Sequence, residues 1–222
     1  MKTSLVKKYW MAATGLFLCL FLVGHLMGNL QLFIGGEEGQ LQFNAYAHFM
    51  TSNPIVKLLS YVTYASIVFH AIDGLILTIR NKKSRPVKYA YERADKNSIW
   101  SSRNMGILGT VILVFIITHM TNFWGVMHFG AIGVDAAGNK DLHTVVMAFF
   151  QDEKIGLIAT ILYVVSMAAL SFHLIHGFSS AFQSVGANHP KYNASIRYVG
   201  IAFAIVVPVL FAAMPVYIYL NK

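Results

Sequence analysis

The chain has 222 residues, of which 56% are hydrophobic and only 12% charged, with a mean hydropathy of +0.58. A soluble domain of this length cannot hide that much apolar surface, so lipid must cover part of it. The single cysteine, Cys19, excludes an intrachain disulfide, an iron–sulfur cluster held by this chain alone and a CxxCH attachment motif.

A helix that crosses the hydrocarbon needs about 20 mostly apolar residues. Five stretches meet that length: 10–33, 54–79, 103–126, 155–183 and 195–220. The first is too long for a removable signal peptide and lacks a small-residue cleavage site. Trp10 suits an interfacial anchor at its start. The loop 34–53 holds Gly35-Gly36, Glu37 and Glu38, and is expected to form a short interfacial helix ending before Pro54. The loop 80–102 is the most polar segment, broken at Arg85-Pro86. The loop 127–154 contains Gly130, Gly133 and Gly138, then an apolar stretch around Val145–Phe150 suited to the membrane surface. Asn188-His189-Pro190 marks the last turn, and Pro208 and Pro215 are expected to bend the fifth helix. The fold expected is all-α, a single transmembrane bundle over residues 1–222, without a repeat or a separate soluble domain.

The net charge of +8 could suggest nucleic acid, but its distribution argues otherwise. With five spans the termini lie on opposite sides. If the N-terminus is cytoplasmic, only Lys57, Lys140, Lys154 and Lys222 lie outside among the 17 basic residues. That is a clear positive-inside bias, so the basic excess is mainly topological. Anionic headgroups or an acidic cytoplasmic partner also suit it.

Nine histidines occur, and His25, His70, His119, His173 and His176 lie within the spans. His48, His128, His143 and His189 fall in loops or near interfaces. Ionisable groups at membrane depth are costly and tend to be functional. One such residue could be a packing hydrogen bond; four consecutive spans each bearing one is a pattern. The rise of a helix per residue places His25 and His119 toward the outer side, roughly 22–24 Å from the inner face. The same rise places His70 and His173 toward the inner side, roughly 24–27 Å from the outer face. The histidines therefore pair by depth, His25 with His119 and His70 with His173. Two imidazoles facing each other across a bundle can ligate one haem iron axially. A bis-imidazole iron has no open position, which suits electron transfer, and two such haems would make a wire across the bilayer.

Gly15, Gly24, Gly28, Gly74, Gly106, Gly109 and Gly177 are available to flank a flat macrocycle, although glycine also serves helix packing. His176 lies three residues after His173, and depth cannot separate the two as ligands; His176 could instead bond a haem propionate. Asp73, one turn past His70, is expected to pair with Arg80.

These segments resemble the two-haem cytochrome b membrane anchor of succinate dehydrogenases and fumarate reductases, of the single-chain, five-helix type. Thr14-Gly15-Leu16-Phe17 through Gly24-His25-Leu26, with Asn29, resembles its first ligand segment. Ala47-His48-Phe49-Met50 before Pro54, Phe69-His70-Ala71 with Gly74, and the His119 region follow in the family's order. The pattern His-x-x-x-Gly, with another glycine nine residues later, falls on His173, Gly177 and Gly186, and selects His173 over His176 as ligand. The resemblance implies that His70 and His173 hold the proximal haem iron and that His25 and His119 hold the distal one.

It further implies a bacterial inner-membrane subunit of the tricarboxylic acid cycle's succinate:quinone oxidoreductase. A flavoprotein and an iron–sulfur protein would dock at the cytoplasmic face, and no succinate-oxidising site would lie on this chain. Two b haems would pass electrons to a quinone, menaquinone by the two-haem type. Asn29, Gln31 and His48 are candidate quinone contacts, since a quinone carbonyl needs a donor and a proton source. Ser171 stands where some fumarate reductases of this type carry a glutamate, which favours succinate oxidation. The alternatives are a cytochrome b anchor of a hydrogenase or formate dehydrogenase, and a non-redox transporter.

Overall fold

A computed structural model describes residues 3–84 and 98–222. The break expected at Arg85-Pro86, and Lys2, Lys88, Arg93 and Lys96 among the basic residues counted as cytoplasmic, lie outside the described residues. In chain order the helices are α1 (Thr3–Asn29), α2 (Gly36–Ser52), α3 (Pro54–Lys83), α4 (Trp100–Arg103), α5 (Met105–His119), α6 (Val126–Phe129), α7 (Leu142–Gln151), α8 (Gly156–Ser184) and α9 (Pro190–Leu220). A 3₁₀ turn, Leu30–Phe33, extends α1, and a π-helical turn, Met120–Gly125, joins α5 to α6. No strand forms among the described residues. The five long apolar helices, 5–33, 54–83, 105–129, 156–184 and 190–220, are each long enough to cross a membrane. They match the five stretches read from the sequence, with α1 and α9 each starting several residues earlier. The chain is thus a multi-pass membrane protein by length and composition.

Local chemistry sets the helix ends. Pro54 and Pro190 sit in the first turns of α3 and α9, where the missing N–H costs nothing. The Asn53 side chain accepts hydrogen bonds from Ile55 N (2.9 Å) and Val56 N (3.3 Å). Gly186 ends α8 with φ +89°, a left-handed value that glycine adopts at little cost. Pro208 and Pro215 lie within α9, which continues through both. Each lacks an N–H, so the carbonyls of Ala204 and Phe211 lose their intrahelical donors.

The long helices pack antiparallel to their sequence neighbours. The start of α5 meets the end of α3, where a Cβ on Gly106 would lie 3.0 Å from Thr78. The start of α9 meets the end of α8, where a Cβ on Gly200 would lie 2.6 Å from the Phe178 ring. A cluster around Leu26, Phe43, Phe123, Phe150 and Ile218 fills the end of the bundle farther from the N-terminus. Large side chains also face outward along the spans, with Leu75 62% and Ile107 66% exposed. An apolar belt of that extent requires lipid.

Asp73 forms an ion pair with Lys7 of α1 at 3.5 Å, not with Arg80 as the sequence suggested. Arg80 lies seven residues along the same helix, roughly 10 Å away in rise. The neighbouring helix brings a lysine closer than its own helix brings an arginine.

Helices α2 and α7 form a cap over the end of the bundle farther from the N-terminus; α2 falls where a short helix was expected, and α7 takes in the apolar stretch Val145–Phe150. They are locked by a polar knot. Asn44 is fully buried; its amide donates to Asp141 Oδ1 (2.9 Å) and its Oδ1 accepts from His143 N (2.9 Å). Gln40 Nε2 and Thr144 Oγ1 donate to Asp141 Oδ2 at 2.7 and 2.6 Å. Burial by itself would raise the Asp141 carboxyl's affinity for protons, but bonds from Thr144, Asn44 and Gln40 together hold it below the usual value. The stabilisation is therefore present above the ordinary carboxylate range and is lost as pH falls through the lowered value. Hydrogen exchange of α2 and α7 should rise below about pH 4 before that of the spanning helices does. Equal protection of both regions at that pH would contradict this.

Candidate haem-binding site

Two histidine pairs lie inside the bundle, each joining two different helices. The His25 ring of α1 stands 5.8 Å from the His119 ring of α5, at an interplanar angle of 88°. The His70 ring of α3 stands 6.1 Å from the His173 ring of α8, at 65°. The vertical spacing of the pairs follows from two helices independently. A Cβ on Gly15 would lie 3.2 Å from His70 Cε1, and Gly15 precedes His25 by ten residues. A Cβ on Gly109 would lie 4.0 Å from His173 Cε1, and Gly109 precedes His119 by ten residues. Each interval is about 15 Å of helix.

The surroundings of the pairs differ. The His25–His119 pair is set among aromatic rings. Phe21 stacks on His25 (5.3 Å) and Phe115 on His119 (5.5 Å), each four residues before its histidine. Phe211 and Tyr163 add further rings. The His70–His173 pair is approached by glycine backbone instead, Gly15 from α1 and Gly109 from α5. The π-helical turn begins directly after His119. Such turns mark functional places in helices, and here it sets the direction of Phe123, whose ring packs 5.4 Å from His119.

The chemistry of the donors discriminates between guests. No group of three or more His, Cys, Asp or Glu forms a metal site among the described residues. Two imidazoles are too few for a bare zinc ion, which takes four ligands. They suffice for an iron whose other ligands come from a macrocycle. Two metal–imidazole bonds of about 2 Å, plus the ring radii, set axial ring centres roughly 6 Å apart. Both pairs have that separation. The Nδ1 atoms of His119 and His173 are buried without a hydrogen-bond partner among the described residues. An iron held at Nε2 would leave these Nδ1 atoms unpaired, so the fit rests on the donor set and the ring separation. The residues present therefore fit a bis-imidazole haem at each level.

His176 lies one turn beyond His173 and is half-buried. It makes no side-chain hydrogen bond among the described residues. Asn29 and Gln31 sit at the end of α1 and in the 3₁₀ turn after it. The Asn29 amide donates to the His25 carbonyl at 2.8 Å and lies 3.4 Å from His25 Nδ1. His48, on α2, is exposed and is not drawn into that group. Tyr46 is the α2 residue that reaches α1, donating to the Gly24 carbonyl at 3.1 Å, and a Cβ on Gly28 would overlap its ring. His48, two residues on, points about 200° away around the helix.

Sequence reasoning missed two features here. The first is a hydrogen bond from Trp124 Nε1 to the Tyr64 hydroxyl at 2.8 Å, with His128 stacked on Trp124 at 4.4 Å. The second is Thr14, whose hydroxyl lies 3.2 Å from His70 Nδ1. Both join residues some 60 positions apart, and neither has a local signature.

Comparison with protein-family models, with curated proteins and with solved structures finds no match.

Proposed function

We propose that this chain is the dihaem cytochrome b anchor and electron-transfer subunit of a succinate:quinone oxidoreductase in a bacterial cytoplasmic membrane. The observation that carries the reading is the pair of two-histidine sites, each with the ring separation that one iron needs, stacked about 15 Å apart along the bundle. An iron held by the two histidines of each level would supply single-electron acceptance and release.

The protein's part is to fix those imidazoles, exclude water and set the order of the two levels. His70 and His173 would form the proximal site, and His25 and His119 the distal one. The N-terminus faces the cytoplasm in this reading, as the distribution of lysine and arginine favours. A flavoprotein and an iron–sulfur protein would dock on that face, and a quinone, menaquinone by the family resemblance, would exchange electrons near the distal level. Ser171 favours succinate oxidation as the direction. A proton-relaying transporter is disfavoured, because Asp73, the acid at membrane depth, is engaged by Lys7.

The oxidised-minus-reduced optical spectrum of the purified full-length protein tests the reading. A low-spin b-type signal amounting to two haems per chain is expected, together with co-purifying flavoprotein. A colourless, folded protein made with ample porphyrin overturns it. Haem without a flavoprotein partner would shift the assignment to a hydrogenase or formate dehydrogenase anchor.

A further inference from the structure

Of the four paired histidines, His70 alone has a defined acceptor for its Nδ1 proton. Thr14 is buried, one α-helical turn before Thr14 lies Trp10, and the Thr14 hydroxyl donates its one hydrogen to the Trp10 carbonyl at 2.8 Å. The Met11 carbonyl, at 3.2 Å, is the other backbone acceptor for that hydrogen, and it also interacts with the His70 ring. With its hydrogen committed to the backbone, the hydroxyl can meet His70 Nδ1, 3.2 Å away, only as an acceptor. The ring must then carry its proton on Nδ1, which leaves the Nε2 lone pair free. The other three histidines lack this arrangement. The Nδ1 atoms of His119 and His173 have no hydrogen-bond partner among the described residues. His25 Nδ1 faces an amide nitrogen at 3.4 Å, and that amide is a donor aimed at the His25 carbonyl.

Resting on the haem reading above, we infer that Thr14 is a positioning residue for the proximal site: its hydroxyl fixes the His70 tautomer that leaves Nε2 to bind iron, and strengthens that ring as a donor. Helix α1 thus serves both levels, carrying a distal ligand at His25 and the support of a proximal ligand eleven residues earlier. Lys7, Thr14 and Gly15 lie on one face of α1, at intervals of seven and eight residues, against Asp73 and His70 of α3. Hydrogen bonding to the far nitrogen of a metal-bound imidazole raises its basicity, which favours the oxidised metal. The proximal haem is accordingly held at a lower potential than its ligands alone would give.

The test compares Thr14→Val, of similar shape without the acceptor, with Thr14→Ser, which keeps it. Each full-length protein is titrated electrochemically while its haem spectrum is followed, and the proximal haem is identified as the one lost in His173→Ala. In Thr14→Val the proximal midpoint should rise by about 59 mV, a tenfold change in the ratio of oxidised to reduced haem at a fixed potential. Thr14→Ser should restore the wild-type value, and the distal midpoint should stay in place in both, which also reports an intact bundle. Two haems with an unmoved proximal midpoint in Thr14→Val overturn this inference and leave the functional reading intact. Loss of the proximal haem in both variants assigns Thr14 to packing and overturns it too. A wild-type protein without haem overturns both.

Discussion

Replacing His119 with alanine is expected to remove one haem per chain and leave the other, with the bundle intact. His119 meets His25 alone among the paired histidines, at 5.8 Å. The proximal pair stands on other helices, about 15 Å away along the axis. Its two imidazoles and its glycine neighbours, Gly15 and Gly109, are untouched by the change. His173→Ala should do the converse. His176→Ala should retain both haems, because His173 and not His176 faces His70. Haem content per chain and the difference spectrum read all three. If His119→Ala kept both signals unchanged, or lost both while the helical circular dichroism stayed native, the pairing would be wrong. Truncating a buried imidazole to alanine also opens space, so a loss of about 2 kcal/mol in stability is expected in the haem-free comparison.

Replacing Asn44 with leucine is expected to be the most damaging change outside the histidine pairs, costing about 2–3 kcal/mol. Asn44 is fully buried and uses both ends of its amide, one on Asp141 and the other on the His143 backbone N–H. Leucine has the same side-chain branching but satisfies neither group. The larger part of the cost comes from the partners left unpaired, and not from the bonds themselves. Asp141 retains Gln40 and Thr144 as donors, which limits the loss. Thermal melting of the detergent-solubilised protein measures the change, and Asn44→Asp should be worse still, since it places a second carboxylate beside Asp141. A melting temperature within a degree of wild type for Asn44→Leu would show that the knot does not hold the cap.

These two outcomes bear on how the site is built. The knot binds α2 to α7, and through Tyr46 on Gly28 and Gly24 the cap rests on α1 close to His25. A loosened cap should therefore expose the distal level before the proximal one. The rings of Phe21 and Phe115 stack on His25 and His119 at that level.

Much of this molecule could be read from the chain. Twenty-residue apolar runs have to become helices in lipid, because every backbone polar group there must be satisfied within its own segment. The fixed rise of a helix then converts sequence position into depth, so the two storeys of histidines follow from counting. The stop at Gly186 and the starts at Pro54 and Pro190 are likewise local matters, decided by backbone freedom and missing donors. What counting cannot supply is which way a helix faces. A span that is apolar all round carries no stripe to orient it. Only packing decided that Asp73 takes Lys7 and not Arg80, that Thr14 turns toward His70, and that Asn44 finds Asp141 some hundred residues away. Each is a contact between distant parts of the chain, set by the fit of whole helices, and each is invisible in any short window of sequence. The π-helical turn after His119 is likewise not expected from the sequence.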